Sequence, residues 1–140
     1  MKMNYNEIDK NDIIEPLQGS IDYLNKVLLY KNSISNKLNQ ENYNNAWEKF
    51  EEMIDGLVKL NQLLINIQNI LSIDYKEVYH ENKTIAERIN KFNNFLNEII
   101  SGMENKDYLE VADLIEFEFD EYLRSYKKVF INLLNLMDEK

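Results

Sequence analysis

The sequence predicts an all-α fold, an antiparallel four-helix bundle made of two helical hairpins, and three observations predict it. Gly (3) and Pro (1) are too scarce in 140 residues to supply the tight turns of a β-rich domain. Apolar residues recur at alternating spacings of three and four, which places them on one stripe of a helix and cannot be met by the period of two of a strand. The breaks at Asn39–Asn42 and Asn105–Lys106 are only a few residues long, so the helices on either side must turn back on each other.

The first helix is read at residues 12–39, where Asp12 with Glu15 spells a capping pair. Leu17, Ile21, Leu24, Leu28 and Leu38 lie in phase, whereas Lys31 and Ser35 interrupt the stripe. Pro16 is tolerated because it falls in or near the first turn, where backbone N–H groups have no intrahelical acceptor. The second helix, residues 43–72, carries Tyr43, Trp47, Phe50, Ile54 and Leu57, then Asn61, then Leu64. Past residue 56 only Lys59, Gln62, Asn66 and Asn69 form a polar stripe, so this helix either touches three neighbours or meets another chain. Gly56 inside it costs about 1 kcal/mol relative to Ala, which the close approach of a neighbouring helix would explain.

The third helix carries Ile85, Ile89, Phe92, Leu96, Ile99 and Met103. Both Asp74 with Glu77 and Thr84 with Glu87 can open it; the earlier start, which makes it nearly as long as its neighbours, is the reading adopted, with the turn between hairpins in the region 73–84. The fourth helix, residues 107–138, opens on Asp107 with Glu110 and runs through Tyr108, Ala112, Ile115, Phe119, Tyr122, Tyr126, Val129, Leu133 and Leu136 without a break. The whole chain, 1–140, is expected to be one domain, with residues 1–11 a flexible N-terminal arm. A shift of 65 residues lays Ile34 on Ile99, Leu38 on Met103, Tyr43 on Tyr108, Phe50 on Ile115, Ile54 on Phe119 and Asp55 on Asp120. A duplicated hairpin and the chance agreement of two heptad runs both fit this match.

Composition narrows the function. A net charge of −9 disfavours nucleic acid and anionic membrane, which draw on clustered Lys and Arg. The chain has no cysteine, hence no disulfide framework, thiolate metal site or thiol nucleophile. With no apolar leader and no long apolar run, a soluble cytoplasmic protein is expected. Residues 104–121 hold eight acids, including Glu104, Asp107, Glu110 and Asp113, against Lys106.

Little in the sequence points to chemistry. A carboxylate di-metal bundle needs two Glu-x-x-His pairs, and the one here, Glu77 with His80, lies beside the inter-hairpin turn, where a solvated histidine is the ordinary reading. Glu48 with Glu51 and Glu52, and Asp113 with Glu116 and Asp120, sit beside or opposite the apolar stripes, as a solvated face would. A metal-dependent hydrolase remains an alternative if Glu48, Glu51, Asp113, Glu116 and Asp120 converge between the second and fourth helices. No phosphate loop, nucleophile elbow or zinc-protease motif is present, so no catalytic residue, metal or cofactor is assigned. Trp47, Tyr43 and the aromatics of the fourth helix stand at core spacing.

The leading expectation is a non-catalytic protein-interaction module, an adaptor or export-chaperone-like protein; a self-assembling homodimer is a further alternative. Leu114 and Phe117, three residues apart on the outward side of the last helix, would form an apolar spot rimmed by Glu110, Asp113, Glu118 and Glu121. Such a spot suits a partner segment with an apolar anchor flanked by Lys or Arg. The same spot would instead be covered if Met3, Tyr5 and Ile8 of the N-terminal arm fold over it.

The segment Tyr108-x-x-Val111-Ala112-Asp113-Leu114-Ile115-Glu116-Phe117-Glu118-Phe119, followed by Tyr122-Leu123, resembles a small uncharacterised bacterial helical family. More loosely, the order of segments Ile21 to Leu64 and Ile85 to Tyr126 is similar to that of flagellar export chaperones. That resemblance implies an acidic cytoplasmic helical bundle that holds an export substrate's terminal segment.

Overall fold

A computed structural model of the chain describes residues 9–138. Among them are five helices and one minimal hairpin: α1 (Asn11–Asn39), α2 (Tyr43–Leu71), β1 (Tyr79–His80), β2 (Lys83–Thr84), α3 (Ile85–Glu104), α4 (Tyr108–Phe117) and α5 (Phe119–Asp138). The fold is all-helical as expected, but four helices become five because the last one breaks. Most of the expected N-terminal arm, residues 1–8 with Met3, Tyr5 and Ile8, lies outside the described residues.

The buried stripe of α1 runs through Leu17, Leu24, Val27, Lys31, Ile34, Ser35 and Leu38. Lys31 and Ser35 therefore continue the stripe that the sequence reading had them interrupt. Neither Asp12 nor Asp107 caps its helix with a side-chain bond. Pro16 is the sixth residue of α1, just past its first turn, and the only partner its missing N–H denies is the carbonyl of Asp12, at an exposed helix end. Gly56 faces α1 as its residue type suggested, although a side chain makes the approach. A Cβ there would lie 1.9 Å from Tyr23 Oη, and that hydroxyl donates to the Met53 carbonyl at 3.4 Å.

The third helix begins at Ile85, not near Asp74. Thr84 makes the full capping box: its hydroxyl accepts from Glu87 N–H at 3.0 Å, and Glu87 Oε2 accepts from Thr84 N–H at 3.4 Å. Asp74 spends its carboxylate on a turn, accepting from Lys76 N–H at 3.0 Å. Ser72 ends α2 in the left-handed region, and Glu81 and Asn82 turn the β1–β2 hairpin with φ of 53° and 67°. Tyr75 is buried in this connection and donates to the Leu64 carbonyl at 2.6 Å.

The break after α4 falls at Glu118, where one residue leaves the helix. In an unbroken helix the Ile115 carbonyl would serve Phe119 N–H. Here it accepts from the Lys31 ammonium at 3.2 Å, and the same ammonium lies 2.6 Å from Asp120 Oδ1. A buried cation from α1 thus occupies the break and joins both sides of it.

In packing, α1 lies against α2, α4 and α5, and α3 lies against α5 and α4. Aromatic rings fill the α3–α5 side: Phe92 stacks on Tyr126 at 4.1 Å and Phe95 on Tyr122 at 4.3 Å. By contrast, α2 and α3 have hardly any close backbone contact.

Candidate functional site: the seam between α2 and α3

One hydrogen bond sets the register across this seam. Asn61 Nδ2 donates to Asn93 Oδ1 at 2.9 Å, and with the helices antiparallel this brings Ile65 beside Ile89 and Ile54 beside Ile100. The cavities of the seam follow that register. One, of about 410 Å³, is lined by Asn61, Leu64, Ile65, Tyr75, Ile89 and Asn93 among others. A second, of about 260 Å³, has Trp47, Phe50, Ile54 and Ile100 for its floor and Glu51, Asp55 and Glu104 for its rim. Apolar side chains on α2 are left to solvent alongside: Val58 is 59% and Ile65 50% exposed.

The two ends differ in chemistry. At the first cavity the seam is rich in amides, Asn61, Gln68, Asn90 and Asn93. Asn61 also accepts from the Tyr126 hydroxyl in the core, so one side chain links α5, α2 and α3. Burial raises the Tyr126 and Tyr75 hydroxyls above the ordinary tyrosine range, so both stay protonated donors. At the second cavity the rim is carboxylate, and among the described residues none of Glu51, Asp55 and Glu104 forms an ion pair.

The connection above the seam is fastened from below. Buried Arg88 donates to Ser125 Oγ at 2.7 Å and to the His80 carbonyl at 3.1 Å. Glu81 accepts from Lys128 at 2.6 Å, and that hydrogen bond holds the Glu81 carboxyl below its usual range. His80 stands 3.6 Å from Glu81, so its nearest partner is a carboxylate of the turn and not a metal-binding set.

The residues singled out from sequence are placed differently. Phe117 stands 73% exposed, as its phase required, with Glu110, Asp113, Glu118 and Glu121 also exposed. Leu114 is turned inward to 9% exposure, beside Ser101 and Gly102 of α3. The expected two-residue spot therefore does not form, because the buried face of α4 is Val111, Ala112, Leu114 and Ile115. The carboxylates of the hydrolase alternative do not converge either. Among the described residues no three His, Asp or Glu side chains are placed to hold a metal, and Asp120 is turned to Lys31. The wide apolar surface of α2, which the sequence reads as touching three neighbours or meeting another chain, is the signal for this candidate seam, although no residue of α3 is singled out with it.

Among the described residues no helix is long and apolar enough to cross a membrane. The family model for a domain of unknown function (DUF8042) matches residues 15–129, and the chain belongs to that family. Comparison with curated proteins and with solved structures returns no match, so nothing beyond segment order supports the likeness to flagellar export chaperones.

Proposed function

We propose that this DUF8042 chain is a non-catalytic cytoplasmic interaction module whose receiving surface is the α2–α3 seam. The observation that carries the reading is that apolar surface and two cavities lie along a seam where two long helices run side by side with hardly any close backbone contact, bridged by the Asn61–Asn93 hydrogen bond. In this reading α4 and α5 together take the place of one helix, so that two hairpins, α1–α2 and α3–α4/α5, make four columns. The 65-residue shift then relates the hairpins, with Tyr43 stacked on its counterpart Tyr108 at 4.1 Å and Asn61 bonded to its counterpart Tyr126. Under the same shift the closed α1–α4/α5 interface corresponds to the α3–α2 seam. One of two equivalent interfaces is filled by the chain itself, and the other is left for a partner.

A photo-cross-linking residue at position 58 or 65, in cells that make the protein, tests this against the same residue at exposed position 29. Discrete adducts are expected from 58 and 65 and not from 29, and Ile100→Glu should abolish them. Equal adducts from position 29, or none from the seam, would overturn the reading.

A further inference from the structure

Resting on the seam as the receiving surface, we infer that its Trp47–Asp55 end takes a Lys or Arg. The occupant is an amphipathic helix of another protein that sets an apolar side chain on Trp47, Phe50, Ile54 and Ile100 and a cation on Asp55.

The chain supplies its own template for this contact. At the closed interface Lys31 reaches from α1 to Asp120 of α5 at 2.6 Å. The 65-residue shift lays Asp55 on Asp120, but it lays Leu96 on Lys31. Among the described residues the carboxylate is present at the seam and its cation is missing, and Asp55 stands on the rim of the apolar cavity. The surroundings keep the same sign. In residues 47–55 and 97–105 the acids are Glu48, Glu51, Glu52, Asp55, Glu98 and Glu104, and Lys49 is the one base. A cation arriving there is attracted by the whole rim, which speeds encounter and fixes register.

The shape selects a helix. The seam from Trp47 to Gln68 is about 30 Å long at 1.5 Å per residue, enough for five or six helical turns. A groove between two antiparallel helices accepts a third by side-chain packing, whereas an added strand needs unpaired backbone that helix walls do not offer. A second copy of the chain is the weaker occupant, since each copy carries a net charge of −9 and would set acid against acid.

Trp47 is the sole tryptophan of the chain and lies in the cavity, so it reports occupancy directly. A displayed library of random 16-residue peptides without tryptophan is selected on the intact protein, and the selected peptides are titrated by Trp47 emission. Enrichment of Lys or Arg beside an apolar anchor is expected, with a shifted Trp47 spectrum and a loss on the order of tenfold in affinity for Asp55→Asn. Asp55 is exposed, so that variant should melt with the parent. Selected peptides that shift Trp47 but are neutral or acidic, or that bind Asp55→Asn equally well, overturn the cation assignment and leave the seam reading standing. Peptides that bind without moving Trp47 and tolerate Ile100→Glu, or no selected peptide at all, overturn both. A concentration-dependent dimer that shifts Trp47 makes a second copy the occupant and overturns the inference.

Discussion

Replacing Lys31 separates two things the side chain does. Its stem is packed in the core, at 2% exposure, and its ammonium serves the Ile115 carbonyl and Asp120. Lys31→Ala removes three buried methylenes, about 2.4 kcal/mol at about 0.8 each, and leaves a cavity. It also strips the Ile115 carbonyl of its donor, a further loss of roughly 1–3 kcal/mol if water cannot reach it. Lys31→Met keeps most of the stem and loses only the polar part. Asp120, at 51% exposure, returns to water, so the pair itself accounts for at most about 1 kcal/mol. Against these losses stands the relief of no longer burying an ammonium. The expected destabilisation is therefore roughly 3–5 kcal/mol for Ala and about 1–2 kcal/mol for Met, read as shifts of the urea midpoint at constant slope. A Met variant as stable as the parent would show that the cation does not hold the break. An Ala variant no worse than Met would show that the stem is not packed.

Other consequences are simpler. Phe117→Ala should change stability by no more than about 0.5 kcal/mol, because the ring is exposed; a loss of several kcal/mol in thermal melts would mean that another segment covers it. Thr84→Ala removes the acceptor of the capping box and should cost about 1 kcal/mol, whereas Asp74→Ala, which opens no helix, should cost less; the reverse order in denaturant titrations would move the helix start back toward Asp74. Tyr126 and Tyr75 have raised folded-state values, so their contribution to stability is full below the unfolded tyrosine value of about 10 and is lost as pH rises beyond it. Phenolate absorbance should show these two tyrosines, together with Tyr30, whose hydroxyl burial also raises, titrating only as the protein unfolds, and Tyr126→Phe should remove one of the three laggards. Simultaneous titration of all tyrosines in the folded protein would refute their burial.

The spacing of apolar residues was enough to place α1 and α2 almost to the residue, because long amphipathic stripes with short links leave few choices. The errors came where a local signal had two readings. Asp74 and Thr84 carry the same capping pattern, and what separates them is Tyr75, whose burial and bond to the Leu64 carbonyl commit the chain to a connection before α3. The break at Glu118 had no breaker residue to announce it; its partner, Lys31, lies 84 positions from Ile115 and read as a flaw in the stripe. Leu114 is read outward because the predicted stripe takes only Tyr108, Ala112 and Ile115 of α4, whereas its buried face is wider and includes Val111 and Leu114. The seam was half legible: the excess apolar surface of α2 was evident, but which neighbour it lacked depends on tertiary packing.

The asparagines explain why α2 and α3 do not simply close on each other. Asn61 is satisfied on both sides, accepting from Tyr126 and donating to Asn93. Asn93, Asn90 and Gln68 line the adjoining cavity, where water can serve their remaining donors and acceptors. Driving the helices together would bury several amide groups without partners, at roughly 1–3 kcal/mol for each group left unpaired. That loss competes directly with the gain from covering Val58 and Ile65, worth roughly 25 cal/mol per Å² of apolar area removed from water. A partner can cover the apolar positions without that loss if it brings a polar side chain opposite Asn93, or leaves the amide cavity wet. The same amides that keep the seam open would therefore favour partners that match a polar position between apolar ones over partners that are apolar throughout.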